Sequence, residues 1–480
     1  MLDPSSVPVR RTQAGSQRVG APVHAGPSEA GPLKDRIGAA APVDLGVWEL
    51  AWPSMALYGL HALVALVDFA FVSSLGTAAV AAVGVAMQIH FFVFALLAAI
   101  TTGTLAIVAR EVGAGNWREA ARAARASVAL AALLGALLMA LAPWSREAVS
   151  LLGVRGDVAD LGGACLATLL CFNVPFAIEI ALSMALRGAG DVRTPLAVGV
   201  LANGLNVLLC YAFVFGRLGA PALGAIGSAL AGGISFSVGA GTLAICWWRG
   251  ALILPRRIAG RALTADTCWR LLRIGLPTAA EQSAFQLGLL VFLAIIALYG
   301  TPAVSAYLIG VRILSLCFVP GLGFSTAAGT LVGHRLGARR PAEARRLGWR
   351  ACAQAMVVMG ALGLAIALAA PDLAQLFGAA GKETIRLAIV FIYILGAAQP
   401  LMAVEFALGG ALRGAGDTRF PLLAILVGLF VFRLGTALAI ARPLGGGVTA
   451  VWLCLLADYA VKAGLLSLRF ASDRWTTVRV

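Results

Sequence analysis

Asp68, Glu179, Glu281, Glu405 and Asp458 stand inside long apolar stretches of this 480-residue chain, where a carboxylate finds little water to solvate it. A charge at bilayer depth costs at least about 2.5 kcal/mol, so each of these acids must face a cavity or a partner and is a candidate for function. Asp68 has the plainest pattern. It is surrounded by Val64, Ala65, Phe69 and Val72 and has no basic residue at i ± 3 or i ± 4, so nothing on its own helix face neutralises it. Such a group can load a proton from an acidic exterior and release it inside, or bind sodium when ionised. His61 lies seven residues earlier, two turns along the same face, where water can connect the two. The alternative for Asp68 is a hydrogen bond to a neighbouring helix, work that a neutral Asn would do at lower cost.

Glu179 and Glu405 are 226 positions apart, each about two turns before an LRGAGD segment. Both can face a central cavity and attract a cationic substrate; closing one end of the protein through hydrogen bonds is the other reading. Glu281, four residues beyond Pro277 and beside Gln282, is a further cavity candidate, with Arg312 or Arg433 as its partner in the structural reading. Asp458 and Lys462 are four apart on one helix face, in the order that favours an ion pair. Enzymatic chemistry has no support. There is no nucleophile with a base in helix register, the four histidines lack ligand spacing for a metal, and no GxxxxGK[ST] loop is present for ATP. The eight cysteines form no CxxC pair and read as small packing residues. No catalytic residue, metal or cofactor is expected beyond a coupling ion, H+ or Na+.

What positions these acids is a series of membrane helices. The chain is 60% hydrophobic and 12% charged, with a mean hydropathy of +0.91, far more apolar than a soluble chain. Crossing a bilayer takes roughly 20 apolar residues per helix. The sequence predicts spans near 46–72, 82–109, 120–143, 159–185, 194–216 and 222–248, and again near 271–298, 303–330, 346–370, 385–411, 420–442 and 446–470. The net charge of +15 is sorted by loop. Arginines crowd the loops after the second, fourth, sixth, eighth and tenth spans, from Arg110 to Arg125 and from Arg335 to Arg350 among others, whereas the intervening loops dilute theirs with acids. The positive-inside rule therefore puts both termini in the cytoplasm. The same rule accounts for the basic charge, so no nucleic-acid partner is expected. Residues 1–44, rich in Pro, Gly and Ser, read as a disordered cytoplasmic tail; 250–270 reads as a cytoplasmic linker and 471–480 as a C-terminal tail.

The chain repeats itself. AWPS at 51–54 matches GLPT at 275–278, Gly76-Thr77 matches Gly300-Thr301, and the 113–119 loop matches 337–343, all 224 positions apart. LRGAGDVRTP from Leu186 and LRGAGDTRFP from Leu412 are 226 apart. An offset of six crossings preserves orientation, so the expected fold is an all-α membrane protein of twelve helices in two parallel, pseudo-symmetric six-helix lobes, 45–249 and 271–470. Cavities in such folds lie between the lobes near the midplane. Gly188, Gly190, Gly414 and Gly416 permit tight turns, while Asp191 and Asp417 can cap the next helix or pair with Arg193 and Arg419. These loops, with Arg187 and Arg413, read as structural.

The segments VDFAFVSSLG at 67–76, VAREVGAGN at 108–116, ANGLN at 202–206, IGLP at 274–277 and the two LRGAGD loops resemble the multidrug and toxin extrusion (MATE) family, closer to its DinF-like branch, from about Trp48 to Trp475. The resemblance implies a secondary antiporter of the bacterial inner membrane. It implies export of organic cations or other amphipathic compounds against H+ or Na+ by alternating access. Asp68 matches the family's coupling aspartate, Pro53 matches a proline where the first helix bends, and Asn203 and Asn206 match polar positions near that site. Cys210 departs from the pattern, since many members carry an acid there. The small-molecule substrate is expected to be cationic and amphipathic, the protein a monomer in the lipid bilayer. The rival reading is a lipid-linked oligosaccharide flippase of the same superfamily, which prefers a cavity lined with arginines. A channel fits two lobes with few continuous polar faces less well.

Overall fold

The computed structural model describes residues 45–256, 263–375, 381–441, 446–478 and 480, and it is helical throughout, with no strand among those residues. The expected tail 1–44, Arg257, Arg261, Arg442 and Arg479 fall outside the described residues. The first repeat runs through α1 (Val47–Ser73), α2 (Thr77–Gly113), α3 (Trp117–Met139), α4 (Asp157–Cys171), α5 (Asn173–Gly188), α6 (Arg193–Phe215) and α7 (Ala225–Arg249). The second runs through α8 (Ala265–Ala297), α9 (Thr301–Gly337), α10 (Pro341–Leu368), α11 (Lys382–Gly414), α12 (Arg419–Ala441) and α13 (Val448–Ala471). Eleven of these are long and apolar enough to cross a membrane, and α4 with α5, bent by 52°, makes the twelfth.

The sequence-based spans agree with these helices to within several residues, and the departures have local causes. Helix α8 starts at Ala265, inside the expected 250–270 linker, because the Thr264 hydroxyl accepts the Thr267 N–H at 3.2 Å and caps the first turn. The expected span 159–185 breaks at Phe172, where Pro175 offers no N–H to the carbonyl of Cys171. Its counterpart α11 stays one helix through Pro400. Helices α2 and α9 are both 37 residues long, about 55 Å at 1.5 Å per residue, so they overreach a hydrocarbon core of about 30 Å at the arginine-rich end.

At that end the repeats meet backbone to backbone. A Cβ on Gly113 would collide with the carbonyl of His334, and one on Gly337 with the carbonyl of Arg110. The two contacts are images of one another, since both pairs of positions differ by 224. Gly275 meets the Ala99 carbonyl and Gly103 the Leu271 carbonyl in the same manner, joining α8 to α2. Small residues let helices approach this closely where no water drives association. The first turns of α1 also cross over: Val47, Leu50 and Ala51 belong to the apolar core of the second repeat.

The interior of the second repeat holds a closed set of charges. Arg433 bonds Asp458 at 2.5 Å, and Lys462 lies 3.3 Å from Asp458 and 3.0 Å from Glu405. Arg433 belongs to a π-helical segment, Leu426–Gly435, in the middle of α12. Two bases thus balance two acids. Replacing Lys462 by Met is expected to lower stability by about 3–5 kcal/mol, because it strands Glu405 without its cation while Asp458 keeps Arg433; an unchanged melting temperature in detergent would contradict this pairing.

Candidate functional site

Asp68 lies on α1 about one and a half turns from its end, half-buried, and Asn206 of α6 donates its Nδ2–H to Asp68 Oδ2 at 2.9 Å. Cys210, one turn further along α6 and fully buried, places its thiol against the same carboxyl. Apart from that thiol, Asp68 Oδ1 and Asn206 Oδ1, both buried, have no hydrogen-bond partner. Buried oxygen acceptors without partners, one on each of these residues, can stabilise a proton or a small cation. An Asn206→Leu substitution keeps the volume and removes the donor. A hydrogen bond to a charged group contributes about 1.5–3 kcal/mol, so cation binding by the purified protein, read by calorimetric titration, is expected to weaken roughly tenfold; parental binding would remove Asn206 from the site.

Asn203 does not join this pair. Its Nδ2–H is donated to the carbonyl of Gly199 on its own helix at 2.7 Å, so the amide that sequence reasoning assigned to cation coupling is spent on backbone one turn back. His61 is exposed and has no hydrogen bond to Asp68.

The mirror acids Glu179 and Glu405 differ in their surroundings. Glu405 is paired with Lys462, a partner its sequence reading did not give it. Glu179 is 7% exposed, makes no ion pair among the described residues and leaves Oε2 unpartnered. Its neighbour α7 carries no basic residue before Arg249, and Gly239 of that helix leaves room for the carboxyl. The first repeat therefore carries two membrane-depth acids without a cation bound to either, while the second has neutralised its own.

Glu281 is also corrected. Its partner is Arg413 of the second LRGAGD loop at 2.9 Å, and neither Arg312 nor Arg433 reaches it. Arg312 lies over the Phe69 ring of α1 at 4.8 Å and Arg433 is taken by Asp458. In the first repeat the equivalent Arg187 donates to the Tyr58 hydroxyl at 2.7 Å. Each LRGAGD arginine thus reaches back to the first helix of its own repeat, about one turn beyond the proline at 53 or 277.

The first of these loops is also stitched to the second repeat. Thr330 and His334 of α9 donate to the carbonyls of Arg187 and Gly188 at 3.1 and 2.8 Å, and Tyr58 meets Thr326 at 3.5 Å. Gly190 and Gly416 turn at φ +91° and +87°, which a side chain rarely adopts. Gly188 and Gly414 pack on the carbonyls of Leu105 and Gly329. Asp191 accepts the Thr194 N–H at 3.0 Å and so caps α6, whereas Asp417 pairs with Arg469 at 2.8 Å and not with Arg419. Sequence reasoning missed Thr330 and His334, and it read Tyr58 as one of several tyrosines that line a cavity or pack through a hydrogen bond, not as the partner of Arg187. One signal was available for Tyr58: it stands 224 positions before Gln282, next to Glu281.

Known proteins are similar to this chain in sequence and in fold. The MatE family profile matches residues 53–212 and 277–438. A probable multidrug resistance protein NorM from Thermotoga maritima is 31% identical over 432 residues, covering 89% of this chain and 92% of that protein. The NorM of Bradyrhizobium diazoefficiens is 29% identical, covering 84% and 88%. An outward-facing multidrug resistance MATE transporter of the MOP superfamily superposes with a TM-score of 0.83 at 23% identity, over 89% of this chain and 96% of that one. A MOP superfamily transporter from Pyrococcus furiosus, described as having a binding pocket of reverse polarity, gives 0.82 at 23% identity over the same shares. At those identities the structures establish the shared fold.

Proposed function

Since this chain belongs to the MatE family of multi-pass membrane transporters, we propose that it exports small amphipathic organic cations in exchange for H+ or Na+, with Asp68 as the coupling group. The observation that carries this reading is the pair of unpartnered buried oxygens on Asp68 and Asn206. A charge that appears and disappears there changes what the upper part of α1 prefers to contact. Pro53 lies between that part and the first turns of α1, which are embedded in the core of the second repeat. A proline in a helix frees a carbonyl and permits a bend. The cation state of Asp68 is thereby linked to the angle between a segment held by one repeat and a segment held by the other. With the arginine-rich loops in the cytoplasm, the glycine contacts at 113 and 337 close the cytoplasmic end in this conformation. No cofactor enters the cycle, and one chain suffices, because both repeats are in it.

Cationic cargo is favoured over the lipid-linked oligosaccharides of a flippase by the distribution of charge. Inside the second repeat Arg433 and Lys462 are balanced by Asp458 and Glu405, so Arg312, over the Phe69 ring, is set against two acids of the first repeat, Glu179 and Asp68, that make no ion pair among the described residues. Proteoliposomes loaded with a fluorescent organic cation, given a pH gradient or a sodium gradient separately, test the proposal. Efflux that follows one gradient is the expected result; efflux indifferent to both sinks it.

A further inference from the structure

A cavity of about 400 Å³ opens at the arginine-rich end, between the start of α8, the turn from α11 to α12, the end of α13 and the last residues of the chain. Four guanidiniums line it, from Arg270, Arg273, Arg419 and Arg469. Asp417 takes up the charge of Arg469 at 2.8 Å, and Arg270 is 3.5 Å from Glu111 and donates to the carbonyl of Val480 at 3.0 Å. Arg273 and Arg419 have no acidic partner among the described residues. Insertion physics explains why such charges lie on this side, but not why two uncompensated guanidiniums from different helices converge on one concave surface, where they repel. Phe420 and Leu423, on the first turns of α12, add an apolar wall beside them.

We infer that this pocket binds a phosphate group, and its apolar wall at the end of the membrane helices suits the headgroup of an anionic phospholipid. Guanidiniums bind phosphate through paired, charge-assisted hydrogen bonds, and two of them from separate elements match a phosphodiester flanked by acyl chains. Assignment to the cytoplasmic leaflet rests on the orientation given above; the site itself does not. It is remote from Asp68 in the chain and on a different repeat, so binding can be measured without transport.

The test uses the full chain in detergent, with native mass spectrometry and melting temperature read against added phosphatidylglycerol, phosphatidylcholine or inorganic phosphate. Phosphatidylglycerol is expected to stay bound and raise the melting temperature where phosphatidylcholine does not. The pair Arg273→Gln/Arg419→Gln is expected to weaken that binding by about fivefold for each charge removed, and Arg273→Lys/Arg419→Lys to retain most of it. The exposed pair Arg249→Gln/Arg350→Gln removes the same charge elsewhere and is expected to change nothing. If inorganic phosphate reproduces the effect in full and the Gln pair at 273 and 419 removes it, the phosphate site stands and its ligand is a soluble anion. Equal retention of both lipids, or equal loss in the two Gln pairs, overturns the inference.

Discussion

Replacing Asp68 by Asn is expected to lower gradient-driven efflux by roughly 100-fold, near the top of the range that a coupling free energy between two sites supplies, while substrate binding changes little. The substitution is nearly isosteric, and its amide oxygen can still accept the Asn206 bond that holds Asp68 at 2.9 Å. What it removes is the change of charge. A ligand shifts a conformational equilibrium only through its different affinity for the two states, and an amide at position 68 has the same charge with or without a gradient. Cys210 cannot take over, since its thiol is fully buried. The measurement is fluorescent substrate efflux from proteoliposomes under an imposed gradient, with equilibrium binding by anisotropy as the control. Parental efflux from the Asn variant would remove Asp68 from the coupling role.

The second large effect is expected at the glycine crossing. Gly113→Val and Gly337→Val, singly or together, place a branched side chain where the facing backbone carbonyls of His334 and Arg110 already stand. A carbonyl of a helix backbone has no rotamer with which to give way, and overpacking of this kind costs about 1–3 kcal/mol per site. Most of each core comes from one repeat, with Val47, Leu50, Ala51 and Val192 added to the second and Leu271 and Ile274 to the first, so the cost falls mainly on the contact between repeats. The closed arrangement of the arginine-rich end is then disfavoured by roughly 5- to 150-fold per substitution, and transport falls because the cycle lacks one of its two end states. Ala109 is fully buried against Gly333 at this crossing. In a background without the native cysteines, Ala109→Cys should be protected from a water-soluble maleimide in the parent and labelled quickly in the Val variants. Equal labelling rates would show that the crossing does not gate access.

These two predictions differ in how far ahead of the structure they stand. Asp68 was visible from composition around a single residue: an acid among Val64, Ala65, Phe69 and Val72 with no cation on its face. The crossing glycines were visible only as parts of a repeated loop, because a close approach of two backbones leaves no chemical signature beyond the absence of a side chain. Helix ends were misplaced where a single hydroxyl or a missing N–H decides them, as Thr264 does for α8 and Pro175 for the break between α4 and α5.

By itself the sequence determined the helices, their number, the duplication and the acids that needed an explanation, because hydrophobic length and spacing are properties of consecutive residues. Tertiary structure decided which partner each polar group received. Asn203 and Asn206 are alike in type and three apart, yet only the packing of α6 on α1 selects Asn206 for Asp68. Glu179 and Glu405 are identical in the repeat, and Lys462 of α13 distinguishes them from 57 positions away. Glu281 found Arg413 and not the arginines of α9 or α12. A buried charge takes the partner that reaches it in space, and helices that cross at a fixed angle set that reach.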